Sequence, residues 1–405
     1  MNSSSQPRSK LRILITGASV AGNALAFWLE RAGHAVTLVE RSPQFREGGQ
    51  NIDVRGAART VLRRMGLESQ VDALGTRERG VVFVDENDEL VAEFDQTEGE
   101  DSLTAELEIL RGDLAHVLAD ATGNGVERRY GNSITAVQTS DDAAEVTFES
   151  GRRERFDLVV VAEGVGSHTR ELLFAGENEP RWLDVDMGYF SIPRGPRDGD
   201  LARWYNAPGG RSVFLRPDRL GTTTRVVMTL QRAAQGEQDW QPERQKAFLE
   251  EQFADAGWET PRVLDGLRAT DDFYFDVLRQ VKLPRWSKER IALLGDAAWC
   301  ATPIAGAGTS LAIVGAYVLA GEIRRQPDLV AALAAYERVM RPYVEQAQDV
   351  PKIGPRFAQP HSRLGVLLQR ALLGIAARPA VQRLVKPLFS SKSEAIELPD
   401  YPAAS

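Results

Sequence analysis

Residues 11–41 read LRILITGASVAGNALAFWLERAGHAVTLVER. Leu11 to Thr16 is a short aliphatic run bounded by turn signals, the pattern of a strand buried on both faces. Gly17 opens a tight turn into a helix whose apolar positions Ala21, Ala24, Leu25, Trp28 and Leu29 recur three and four apart. That spacing gives one face that packs on a sheet. Gly33 ends the helix, and Ala35 to Val39 predict a second buried strand. Strand, glycine turn, helix and strand in about thirty residues is the opening unit of a dinucleotide-binding fold.

The turn itself is GASVAG, Gly17 to Gly22, with Ser19 where the second glycine of such turns usually stands. Gly17 permits the bend, and Gly22 removes a side chain where helix and strand approach closely. Ser19 is small, so the backbone N–H groups at Val20 and Ala21 still reach a pyrophosphate at the helix N-terminus. Glu40 closes the second strand, where a carboxylate accepts both hydroxyls of an adenosine ribose and repels a 2'-phosphate. Its neighbour Arg41 is grouped with these cofactor-binding candidates.

Working outward, the remaining composition excludes several classes. The chain has 405 residues, and its 49 Lys+Arg against 57 Asp+Glu leave a net charge of -8. The arginines are dispersed, so no basic footprint for nucleic acid exists. The single cysteine, Cys300, fits a reducing cytoplasm. His34, His116, His168 and His361 show no ligand spacing, and no metal site is expected. Met1 to Lys10 is polar without the apolar core of a signal peptide, and no uninterrupted apolar run suggests a membrane span.

Two later segments point to flavin. Residues 157–170 read DLVVVAEGVGSHTR, a buried-strand run followed by Glu163 and Gly164 at its carboxyl end, where ligands of open sheets bind. Residues 290–320 read RIALLGDAAWCATPIAGAGTSLAIVGAYVLA. A strand Ile291 to Leu294 ends in Gly295 and Asp296, and a turn with Pro303, Gly306 and Gly308 follows. Thr309 and Ser310 then cap a small-residue helix from Leu311 to about Ile323. A helix N-terminus aimed into a cleft favours electron density at one edge of a flavin ring. An NAD dehydrogenase has no need of this third glycine-rich unit.

Together the three segments resemble the class A flavoprotein monooxygenases, the aromatic-hydroxylase family related to p-hydroxybenzoate hydroxylase. The resemblance implies an α/β fold: a Rossmann-like FAD-binding domain, an inserted mixed β-sheet substrate domain and a C-terminal helix. Gly17, Ser19 and Gly22 are similar to the family's N-terminal glycine turn, and Glu40 to its ribose-binding acid. Glu163 and Gly164 stand where the family carries Asp-Gly. Gly295 and Asp296 resemble the Gly-Asp pair on the FAD ribityl and pyrophosphate. Pro303, Gly306, Ala307 and Gly308 resemble the stretch beside the flavin ring, and Arg111 looks like the arginine opening a helix next to the cofactor. Residues 48–56, GGQNIDVRG, resemble the loop lining the ring's path.

The implied reaction consumes NADH or NADPH and molecular oxygen, and hydroxylates an aromatic or polyketide-like small molecule through a flavin C4a-hydroperoxide. The flavin carries the chemistry, so no catalytic side chain is assigned. FAD-dependent dehydrogenation or reduction, and a non-catalytic flavin-binding protein, stand as alternatives. A flavin halogenase is disfavoured because no two of the seven Trp residues lie two positions apart. The sequence chooses neither between nicotinamides nor an oligomeric state.

The expected FAD domain comprises 11–75, 100–172 and 286–345; the substrate domain comprises 76–99 and 173–285. Val81 to Phe94 reads as a hairpin turning at Glu86 to Asp88. Strands are expected at 187–192, 201–205, 212–216 and 222–230, with a helix at 242–256. Substrate candidates are Trp204, Phe214 and Arg216 from that sheet, with Trp299 and Pro303 from the cofactor loop. Alternation sends Trp204 and Tyr205 to opposite faces. Arg216 reads either as an orienting cation for an anionic substrate or as a salt bridge. Phe273 or Phe275 is expected against the ring edge. In the tail, 361–390, a stripe of Leu364, Leu367, Leu368, Ala371, Leu372 and Ile375 predicts a helix packed across both domains, with a membrane-surface helix as the other reading. The terminal ELPDY reads as docked or frayed.

Overall fold

The computed structural model describes residues 10–45, 49–95, 107–302, 306–349, 358–378, 381 and 397–401. The opening unit folds as its pattern requires. Arg12–Thr16 is a strand, Val20–Arg31 a helix and Ala35–Glu40 the next strand, paired in parallel with the first. Leu158–Val161 lies on the first strand's other side, followed by Ile291–Leu293, and Val126–Tyr130 forms the far edge. These four pairings join segments up to 145 residues apart into one parallel sheet, with the short Ser287–Lys288 antiparallel at its other edge. Aliphatic residues with no exposed surface, such as Ile13, Leu14, Leu158 and Val160, fill its strands. The helix Gly308–Arg325 packs on the helix Val20–Arg31 over this sheet.

The second sheet has seven strands, in the order Phe273–Gln280, Arg181–Pro193, Thr223–Gln231, Arg211–Pro217, Ala202–Ala207, Gly80–Val84, Leu90–Asp95. It is mixed, because Gly80–Val84 runs parallel to Ala202–Ala207 while its other pairings are antiparallel. Its two faces differ. Val84, Tyr205, Val213, Leu215, Val226, Met228 and Phe275 pack with Leu249, Phe253, Val263 and Leu267 from the helices Pro242–Phe253 and Thr260–Ala269. The opposite face carries Phe83, Trp204, Phe214, Val227, Tyr189 and Tyr274, which stand in one register row across six strands.

Several elements differ from the reading of the sequence. Arg181–Pro193 spans thirteen residues, longer than its apolar core, since a bulge between Trp182 and Asp186 carries it on. Phe273–Gln280 is a full strand of the second sheet. A three-stranded antiparallel sheet, Ile134–Thr139, Ala144–Phe148 and Arg153–Phe156, fills the connection before Leu158. The flavin-side helix starts at Gly308, three residues before the apolar run, and no side chain caps it. Ser310 Oγ instead accepts from the Arg55 backbone N–H at 3.2 Å.

The tail overturns one expectation. Arg363–Ala376 is a helix, but it contacts the strands Leu90–Asp95 and Ala202–Ala207, with Val366 and Gln369 buried. The leucine stripe faces outward, with Leu364 76% and Leu368 60% exposed. Polar bonds orient the helix: Asn206 Nδ2 donates to Gln369 Oε1 at 2.7 Å, and Gln369 Nε2 to the Ala358 carbonyl at 2.9 Å. Residues 379–380 and 382–390 of the expected tail helix lie outside the described residues. No described helix is long and apolar enough to cross a membrane.

The ELPDY end is docked. Tyr401 is buried against the helix Gly308–Arg325, its hydroxyl donating to Glu322 Oε1 at 2.7 Å. Gly321 admits the ring, since a Cβ there would stand 2.3 Å from Tyr401 Cδ2. Tyr401→Ala should cost about 3 kcal/mol by removing a buried aromatic, read as a fall in melting temperature. Gly321→Ala should destabilise the wild type and cost far less in the Tyr401→Ala background. Additive effects in that cycle would refute the docked contact.

Candidate active site

The strand ends and helix starts of the parallel sheet enclose one cleft. Gly17, with φ +97°, turns the chain where a Cβ would lie 2.4 Å from the Ala162 carbonyl oxygen. Gly22 lies one helical turn on, where a Cβ would lie 2.0 Å from the Gly17 oxygen. The first turn thus abuts the end of Leu158–Val161, and the third segment closes in beside it. At Gly295 a Cβ would reach within 3.0 Å of Ala21 Cβ.

The cleft is lined by Gly17, Ser19, Val20, Ala21, Glu40, Arg41, Arg111, Glu163, Gly164, Asp296 and Gly308, all singled out in the sequence. Gly22 and Gly295 support the wall from behind. Gly306 and Ala307 precede the helix that enters it. Pro303 lies outside the described residues.

Both long helices that open here, Val20–Arg31 and Gly308–Arg325, begin without a side-chain cap. Their first N–H groups have no intrahelical acceptor and carry the positive end of each helix dipole. Asn23, missed in the sequence, braces the first turn by donating to the Ala18 carbonyl at 2.9 Å and to that of Ser19 at 3.1 Å. Glu40 is held by the backbone N–H groups of Ala18 at 3.0 Å and Ser42 at 2.9 Å. Arg111 Nη1 donates to Ser19 Oγ at 3.0 Å, tying the helix Arg111–Ala121 to the turn.

Glu163 is engaged locally. Its carboxylate accepts from Ser167 Oγ at 2.8 Å and from Thr169 N and Oγ1 at 3.0 and 2.6 Å, which shapes the start of His168–Leu173. Burial, joined by the field of Asp276, pushes the Asp296 carboxyl up to about 6 against the pull of Arg111. Phe45, Tyr130, Asn132, Ser133 and Thr309 also line the cleft. Tyr130 was hidden because its strand, VERRY, is too charged to read as a buried edge.

The substrate candidates separate. Trp204 and Phe214 lie on the face opposite the helices Pro242–Phe253 and Thr260–Ala269, with ring centroids 4.8 Å apart, and Phe83 stacks on Trp204 at 5.4 Å. Tyr205 is on the other face, as alternation requires. Phe273 and Phe275 pack on the helix side, so Tyr274 between them takes the place expected for one of those two. Arg279 of the same strand reaches the cleft wall, its Nη2 lying 3.9 Å from where a Cβ on the cleft-lining Gly166 would stand. Trp299 departs from the expected pocket wall. It is buried 4.6 Å from Trp286 and 6.0 Å from Tyr336 by ring centroid, because core aromatic surface is available there.

Arg216 is a salt bridge, and a buried one. It pairs bidentately with Glu78 at 2.9 and 3.1 Å and also with Glu108. Glu108 accepts from Asn51 at 2.8 Å and from Thr76.

The geometry fits FAD. The turns lack the Cβ atoms that would fill the cradle, two uncapped helix starts supply donors for anionic groups, and Glu40 offers a carboxylate at the second strand's end. A family model described as an FAD binding domain matches residues 10–350. The FAD-dependent monooxygenase asL4 of Sarocladium schorii is 34% identical over 97% of this chain and 98% of its own. Monooxygenase CTB7 of Cercospora beticola is 35% identical over 97% and 98%. The crystal structure of tetracycline destructase Tet(55) is 33% identical, with a TM-score of 0.82 over 97% of this chain and 99% of that one. The chain belongs to this FAD-binding family, the class A flavoprotein monooxygenases. Within it, the protein is an FAD-dependent monooxygenase.

Gly22→Ala should abolish retention of FAD, measured as flavin absorbance per protein after purification, while Gly199→Ala, where a Cβ meets nothing within 4 Å, should retain it. Asp296 gives a pH-dependent expectation. Folding raises its pKa from the ordinary 3.8 to about 6. The folded state therefore binds the proton more tightly, and stability falls as pH rises through that window. FAD-free Asp296→Asn should melt above the wild type at pH 8, with the gap shrinking towards pH 4. An equal gap at both would refute the assignment.

Proposed function

We propose that the enzyme uses NADH or NADPH and molecular oxygen to hydroxylate an aromatic or polyketide-like small molecule. The observation that carries this reading is the aromatic row of the seven-stranded sheet, whose edge strand reaches the cofactor cleft where Arg279 lies beside Gly166. A relative named as a tetracycline destructase also favours a multi-ring substrate. Residues 11–75, 100–172 and 286–345 act as the FAD-binding unit, with 76–99 and 173–285 as the substrate unit. The unpaired Cys300 is in keeping with a cytoplasmic enzyme.

Each group has a physical task. Glu40 accepts the adenosine ribose hydroxyls, and the N–H groups at Val20 and Ala21 receive the pyrophosphate. Arg111 adds charge beside Ser19, Asp296 accepts from the ribityl chain, and the helix start at Gly308 favours electron density at one edge of the ring. Arg41, Glu163, Gly164, Gly306 and Ala307 shape the wall. Bound FAD supplies the redox and oxygen-activating chemistry. The protein positions the substrate ring, withholds water and fixes dipoles; no side chain attacks.

The test is turnover under isotopically labelled oxygen gas with NADH or NADPH, followed by mass spectrometry of the product. One labelled oxygen atom per product and matching nicotinamide consumption are expected. Unlabelled product, or product formed without oxygen, would sink the proposal. Glu40→Ala should weaken FAD binding by about tenfold or more through loss of charged acceptors.

A further inference from the structure

The face of the seven-stranded sheet that looks onto the cleft combines two properties. Its centre is aromatic and partly open: Phe83, Trp204 and Phe214 stand side by side on neighbouring strands. Its arginines are taken. Arg216 is held by Glu78 and Glu108, Arg225 donates to Asp272 at 3.1 Å and Ser191, and Arg279 donates to Asp276 at 2.8 Å. Around Arg216 the cations are matched by acids: Arg55 pairs with Asp53, and Arg216 with Glu78 and Glu108. Burial and the mutual repulsion of these acids raise the Glu78 carboxyl above its ordinary range, against the pull of Arg216. A guanidinium already bonded to two acids has little attraction left for an incoming anion.

We infer that this face selects a flat, multi-ring substrate that carries no carboxylate, with the Phe83–Trp204–Phe214 row as its apolar bed and the Arg216–Glu78–Glu108 knot as the element that rejects aromatic acids. The inference rests on the flavin reading given above and narrows its substrate class. Two physical terms drive it. A multi-ring molecule buries apolar area over several strands, which lie about 4.8 Å apart, whereas a single ring covers little of the row. A carboxylate entering the same space loses its water and finds the guanidiniums already paired, so it stays uncompensated. Specificity then comes from a repulsive element as much as from an attractive one.

The knot also joins the seven-stranded sheet to the short two-stranded pair. Arg216 belongs to the substrate sheet, Glu108 to the short Asn51–Asp53 and Glu108–Leu110 pair, and Arg55 to the loop whose backbone touches Ser310 at the flavin-side helix. Glu78 and Glu108 are therefore positioning residues: they act on the substrate by holding the Arg216 guanidinium.

The experiment uses the FAD-loaded protein and a matched pair of probes, 2-naphthol and 6-hydroxy-2-naphthoate, followed by perturbation of the flavin absorbance on titration. The naphthol should bind at least about tenfold more tightly, the lower end of what an unpaired desolvated carboxylate costs. Trp204→Leu should weaken the naphthol. Glu78→Gln with Glu108→Gln, which frees the guanidinium, should shift the preference towards the naphthoate. Equal or tighter binding of the naphthoate by the wild type, or binding of neither probe, overturns the inference. The flavin spectrum and its bleaching by NADH or NADPH are recorded alongside. Loss of those signals indicts the flavin reading, whereas a normal flavin with reversed preference indicts only the substrate class.

Discussion

At Gly22 a β-carbon would stand 2.0 Å from the Gly17 carbonyl oxygen, and at Gly17 one would stand 2.4 Å from that of Ala162. Neither distance is compatible with a side chain, so these two positions set how closely the first helix, the first strand and the strand Leu158–Val161 meet. Everything on the cofactor side follows from that closeness. The helix start faces the cleft because the turn is tight. Glu40 reaches the turn's backbone because the second strand ends level with it. Gly295 rests on Ala21, which brings the third segment to the same place. Larger residues would leave the fold class intact on paper and separate the groups that make the cleft.

The legibility of the molecule divides along this line. Elements whose pattern is local were readable: the opening unit, the hairpin from Gly80 to Asp95 and the strand ends at Glu163 and Asp296 all carry their signal in a few consecutive residues. Elements defined by pairing were not. Val126–Tyr130 has the composition of a solvated loop and is a strand only because Ala35–Glu40 lies beside it. At Phe273–Gln280 the sequence offered Phe273 or Phe275 for the ring edge, yet which parity lies on which face depended on where the helices Pro242–Phe253 and Thr260–Ala269 settled. That is why both phenylalanines turn to those helices and Tyr274 lies on the opposite face.

The misplacements have the same origin. Trp299 sits next to a cofactor-side turn in sequence, but Trp286 and Tyr336, from distant segments, provide aromatic surface that water cannot match. Periodicity correctly gave the helix Arg363–Ala376 and gave the wrong inward face, because the contacts that orient it are polar ones from Asn206 and Ala358. For Arg216 the sequence offered a cation and a salt bridge; two acids, Glu78 and Glu108, from separate segments made it the second.

The strand order has an implication for how the protein can be divided. Gly80–Val84 is paired with Ala202–Ala207, and Arg12–Thr16 with Leu158–Val161, so each sheet draws on stretches that flank pieces of the other. A ribosome emitting this chain exposes unpaired sheet edges until the segment containing Ile291–Leu293 has emerged. No single cut releases either half intact. Exchange of substrate preference between such enzymes is therefore confined to replacing side chains in place or grafting two pieces at once.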